Sequence, residues 1–66
     1  MDAARFRACL EALNWSARAL ARLLEVNPVT VHRWVNGVQP VPPHIAHWLE
    51  VLAQCHEAHP PPKRLP

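Results

Sequence analysis

Neither proline nor glycine occurs between Asp2 and Asn27, whereas eight prolines and the single glycine are crowded into the remainder of the 66-residue chain. Proline removes a backbone donor and glycine leaves the backbone unrestricted, so the first part of the chain is free to be helical and the later part is cut into short pieces. Phe6, Leu10 and Leu13, with Cys9 beside them, recur at helical spacing and predict an amphipathic first helix of roughly twelve residues. The brief Val29-Thr30-Val31 run is too short to argue for a strand. The expected class is all-α in a single small domain, and a chain of this length buries only ~60% of its unfolded surface.

Capping chemistry divides the rest. Asn14 suits the left-handed position that closes a helix, Ser16 suits the start of the next, and Trp15 is placed to staple onto Leu20. Ala17, Leu20, Ala21 and Leu24 form an inward stripe, with Arg18 and Arg22 outside. Asn27 is then an N-cap and Pro28 a first helical residue, with Val26 and Val31 repeating the staple. This third helix runs to Asn36, where Gly37 takes the capping role, and the prolines between Val38 and Pro43 impose a loop. Pro43 opens a fourth helix with Ile45, Trp48, Leu49 and Leu52 on one face. The expected organisation is a domain over 1–59, a helix-turn-helix unit over 16–37, and a disordered, basic, proline-rich tail over 60–66.

Several function classes are disfavoured. No window approaches the ~20 apolar residues of a membrane span. The N-terminus opens on an acid and lacks an apolar core, which argues against a signal peptide. Cys9 and Cys55 make no disulfide framework and point to a reducing cytoplasm. His44 and His47 are three apart, as are His56 and His59, but the ligand number and spacing of a zinc site are missing. His56-Glu57-Ala58-His59 also lacks the four-residue spacing of the zinc-protease signature. Ser16 and Cys9 read as cap and core, so no catalytic residue, metal or cofactor is expected. The formal net charge is only +2, yet Arg18, Arg22 and Arg33 face a single acid, Glu25, in the middle of the chain, which suits a polyanionic partner.

Residues Ala17 to Gly37 resemble the Xre-type helix-turn-helix family of phage repressors and Cro proteins. The resemblance rests on small Ala21 at a helix crossing, apolar Leu20 and Leu24, Val26 in the turn, Val31 and Trp34 inward, and Asn36-Gly37 at the end. The Ser16 cap and the Gly-x-x-Pro-x-Pro stretch from Gly37 to Pro42 fit as well, and the likeness extends over roughly residues 5–55. It implies a compact, lambda-repressor-like domain of four or five helices whose third helix enters the DNA major groove. By position, the implied DNA-facing residues are Asn27, Pro28, Val29, Thr30, His32, Arg33 and Asn36, with Arg18 and Arg22 near the backbone. It further implies a cytoplasmic transcriptional regulator (a repressor, Cro-like or antitoxin-like) acting as a homodimer on a palindromic operator of double-stranded DNA.

Four positions depart from the family pattern. Ala17 stands where Gln often touches phosphate, and Glu25 where Gly often relaxes the turn. Leu10 and Val35 occupy the places of a frequent Arg–acid pair and are expected to touch instead. These departures leave a competing reading, a protein-interaction adaptor that docks through the Trp48 face and the tail. Lys63 and Arg64 in that tail are a further candidate phosphate clamp.

Overall fold

The computed structural model describes residues 1–62, and these form four helices and no strand. They are α1 (Ala3–Leu13), α2 (Ala17–Leu24), α3 (Pro28–Val35) and α4 (Pro43–Ala58). Each of the first three begins at a side-chain cap. Asp2 accepts from the Arg5 N–H, Ser16 Oγ from Ala19 at 3.0 Å, and Asn27 Oδ1 from Val29 at 2.9 Å.

The same three helices also end alike. Asn14, Glu25 and Gly37 take left-handed conformations with φ of 58°, 55° and 73°. Around each, two N–H groups turn back on the helix: Asn14 and Trp15 onto the Glu11 and Leu10 carbonyls, Glu25 and Val26 onto Arg22 and Ala21, Gly37 and Val38 onto Trp34 and Arg33. This paired bonding consumes carbonyls that a helix end otherwise leaves without partners.

The core is apolar throughout. Phe6, Cys9, Leu20, Val31, Leu49 and Ala53 are fully buried, and Leu10, Ala21, Trp34, Val41 and Ile45 nearly so. Phe6 meets Trp34 edge to face, with ring centroids 6.0 Å apart and planes at 85°, a favourable aromatic arrangement. The Trp34 indole N–H is buried with no acceptor among the described residues. Burial pushes the Cys9 thiol up, partly offset by the Arg5 charge, so it stays a neutral core group.

The fourth helix departs from the expected face. Its buried line is Ile45, Leu49 and Ala53, one residue per turn, while Trp48 is 37% exposed and Leu52 only half-buried. Trp48 instead stacks on Trp15 at 5.8 Å, and Trp15 is half-buried at the core's edge. The apolar arc of α4 is wider than α1 alone can cover, so its flank is left outside. The polar flank is tied down differently. The Arg5 guanidinium donates to both Glu50 carboxylate oxygens, one of which also accepts from Gln54. This pairing raises the Arg5 pKa and, against a smaller opposing effect of burial, holds the Glu50 carboxyl below its ordinary range.

Candidate nucleic-acid interface

Trp34 and Val31 face inward from α3, and the opposite side of that helix is consequently turned out. Pro28, Val29, His32, Arg33 and Asn36 are exposed and follow one another at i, i+1, i+4, i+5 and i+8, a single outer face. Val29 is 53% exposed. Asn27 is exposed just before the helix, and Thr30 is half-buried at the edge of the face. Seven sequence-expected positions are thus gathered on one rod and its cap. Arg18 and Arg22 are exposed on α2, and no carboxylate among the described residues forms an ion pair with them or with Arg33.

The two ends of α3 are differently equipped. At its start, Pro28 has no N–H, the Val29 N–H goes to Asn27 Oδ1, and the Thr30 N–H goes to the Asn27 carbonyl at 2.9 Å. These backbone donors at the start of the helix are thus already used within the chain. The Asn27 side chain keeps its amide N–H groups, since only its oxygen is spent on the cap. The α2 start differs, because Ser16 serves Ala19 and Leu20 and leaves the Ala17 and Arg18 N–H groups without partners among the described residues.

At the other end of α3, all four terminal carbonyls are satisfied. His32 accepts from Asn36, Arg33 from Val38 and Gln39, Trp34 from Gly37, and Val35 from Arg7 Nη1 at 2.7 Å. Arg7 is thus a cation placed on the negative end of α3, and it is the only side chain in that set. Sequence reasoning missed it, though Arg7 lies one turn before Leu10, on the side of α1 already assigned to Val35. Leu10 itself is buried and Val35 packs against the same core cluster.

A family model described as "Helix-turn-helix domain" matches residues 3–65. The chain belongs to this family. It is the class the sequence resembles, and its fold points to a DNA-binding regulator. No curated protein and no solved structure matches the chain significantly. The turn of this helix-turn-helix domain is Glu25-Val26-Asn27, and Glu25 there is exposed and left-handed, as the departure from glycine foreshadowed. No helix of the described residues is long and apolar enough to cross a membrane. The candidate phosphate clamp of Lys63 and Arg64 lies outside the described residues.

Proposed function

We propose that this helix-turn-helix domain is a sequence-specific DNA-binding transcriptional regulator, a repressor of Cro-like or antitoxin-like kind, that reads the major groove with α3. The observation that carries the reading is the outer face of α3, on which Val29 and Arg33 stand clear of the protein's own chain. Arg33 donates two parallel hydrogen bonds to guanine O6 and N7, a pairing worth ~1–3 kcal/mol of discrimination. Val29 offers an apolar contact to a thymine methyl. Asn27, Thr30, His32 and Asn36 supply polar groups around these two, and Pro28 shapes the leading end. Arg18 and Arg22 add attraction to phosphate that is independent of sequence. One domain makes few such contacts, so the reading includes two copies on a two-fold operator.

Selection of bound sites from random duplexes, followed by titration of the recovered site, tests this directly. A palindrome is expected, and Arg33→Ala weakens binding by ~1–3 kcal/mol while relaxing preference at one base pair of each half-site. Arg18→Ala weakens all sequences alike and lowers the slope of log affinity against log salt by about 0.9 for each phosphate that it no longer neutralises. Wild-type protein that retains no duplex at low salt overturns the reading and favours the adaptor, whose docking face is the exposed flank of α4.

A further inference from the structure

The chain has three asparagines, and the residue after each decides its chemical fate. Asparagine is a labile side chain, because the backbone nitrogen of the next residue can attack its carboxamide. Asn27 precedes Pro28, whose nitrogen carries no proton to lose. Asn14 precedes Trp15, whose bulk crowds the attack and whose N–H is held by the Leu10 carbonyl at 2.9 Å. Asn36 precedes Gly37, which has no Cβ to hinder its nitrogen. Asn36 also stands exposed on the outer face of α3, and its carboxamide makes no hydrogen bond among the described residues.

The fold restrains this pair only lightly. At Asn36 ψ is −2°, so the Gly37 nitrogen eclipses the nitrogen of Asn36 itself, not its Cβ, as closure of a succinimide ring demands. Holding it there are the Gly37 N–H bond to the Trp34 carbonyl, long at 3.3 Å, and the bonds of Val38 and Gln39 to the Arg33 carbonyl at 3.0 and 3.3 Å. Every residue from 36 to 40 is exposed, so peeling this segment from the helix end uncovers no buried side chain. Such a segment opens locally while the core stays closed.

We infer that Asn36 is a self-modification site: when residues 36–40 peel back, the Gly37 nitrogen attacks its side chain, which becomes a carboxylate and turns the chain off DNA. In that step the Gly37 nitrogen loses its proton to water and bonds to Cγ, the Cγ–Nδ2 bond breaks, and the nitrogen leaves as ammonia. Water then opens the succinimide at Cγ, giving aspartate, or at the main-chain carbonyl, giving isoaspartate. One water enters and one ammonia departs, with no oxidant or reductant. Either product sets a carboxylate one turn beyond Arg33, on the face turned toward phosphates and base edges, where like charges repel. Isoaspartate also adds one atom to the main chain at the helix end. The Gly37, Val38 and Gln39 N–H groups then no longer fit the Trp34 and Arg33 carbonyls. The chemistry stands on this geometry alone, whereas the loss of DNA rests on the regulator reading above.

The test follows the intact chain at mildly alkaline pH over days, by ammonia release, peptide masses and methyl labelling with an isoaspartate methyltransferase. The Asn36 peptide is expected to gain the mass of the exchange and to accept label, while Asn14 and Asn27 stay as they are. The same chain unfolded in guanidinium gives the unrestrained rate, and the folded rate is expected to lie below it. Ser16→Ala removes a distant cap and raises the unfolded population about fivefold, yet is expected to leave the folded rate unchanged because the opening is local. Asn36 still intact in folded protein when the unfolded chain has fully converted overturns the inference. So does fivefold faster conversion in Ser16→Ala, which routes the reaction through global unfolding.

A second arm reads DNA. Aged protein and Asn36→Asp are expected to hold the selected duplex on the order of tenfold more weakly than fresh protein, the Asn36→Asp deficit shrinking as salt screens the charge. Asn36→Gln, whose longer amide cyclises far more slowly, is expected to keep its mass and its initial affinity over the same days. Converted protein that binds as tightly as fresh protein overturns the switch. Fresh protein that retains no duplex rejects the regulator reading and the loss that rests on it, and the mass arm still decides the chemistry.

Discussion

Three residues share one uncommon backbone conformation, and only one of them is glycine. Asn14, Glu25 and Gly37 each reverse the chain at a helix end with φ between 55° and 73°. Asparagine tolerates the left-handed region because its short polar side chain bonds locally; glutamate has no such compensation and meets the full steric cost. Glu25→Gly is accordingly expected to raise the unfolding free energy by ~0.5–1 kcal/mol in urea titrations, the relief of strain exceeding the entropy that glycine adds to the unfolded chain. The reciprocal change, Gly37→Ala, is expected to cost ~1 kcal/mol. A Cβ there would stand 3.5 Å from that of Ala3, an ordinary contact, so the cost comes from φ alone. These ends were legible because capping is a dialogue between a residue and its immediate neighbours. Asn14, Ser16, Asn27 and Gly37 could all be assigned from side-chain chemistry without knowing what packs where. Trp48 could not. Helical period puts it beside both Ile45 and Leu52, and only the placement of α1 decides that Ile45, Leu49 and Ala53 go inside.

At the scale of elements, α3 is held from both ends by contacts of different range. Its start is fixed locally by Asn27, and Asn27→Ala is expected to cost ~1 kcal/mol through loss of the cap. Its end is fixed from 28 positions away by the Arg7 bond to the Val35 carbonyl. That contact was illegible for a physical reason: the acceptor is a backbone oxygen, which every residue has, so no sequence pattern marks it. Arg7→Gln is expected to lower the unfolding free energy by about 1 kcal/mol, the usual net value of a hydrogen bond. If α3 reads DNA, the same change also weakens operator binding, because the groove-facing side chains depend on the helix's placement over α1. Arg7→Lys, which keeps a cation near the helix end, is expected to recover part of both losses. Equal affinity of wild type and Arg7→Gln for the selected site, at a temperature where both are folded, would show that Arg7 stabilises α3 without orienting it. The outer face of α3, by contrast, was readable from periodicity, since burying Val31 and Trp34 turns Val29 and Arg33 outward.

The molecule as a whole is fastened by α4, which packs chiefly on α1 and carries the only ion pair among the described residues. Arg5 and Glu50 are 45 positions apart and join the first helix to the last, so their interaction exists only when the entire fold is assembled. The guanidinium lowers the Glu50 pKa in the folded state relative to the unfolded chain. A depressed carboxyl stabilises the native state fully above the unfolded value, and that contribution drains away as pH falls through the folded one. The expected loss therefore begins near the ordinary glutamate value of about 4.3 and continues below it. Both side chains are about one-third exposed, so salt screens them and the effect is correspondingly small. Glu50→Gln separates this contribution from the titration of the other acids. Thermal midpoints of wild type and variant should differ near neutrality, with wild type higher at low ionic strength, and draw together as the buffer is acidified, because a protonated glutamate and a glutamine offer Arg5 much the same partner. Midpoints that stay equally far apart from neutral to strongly acidic pH would mean that the Arg5–Glu50 contact couples α1 to α4 by geometry, with no share for its charge.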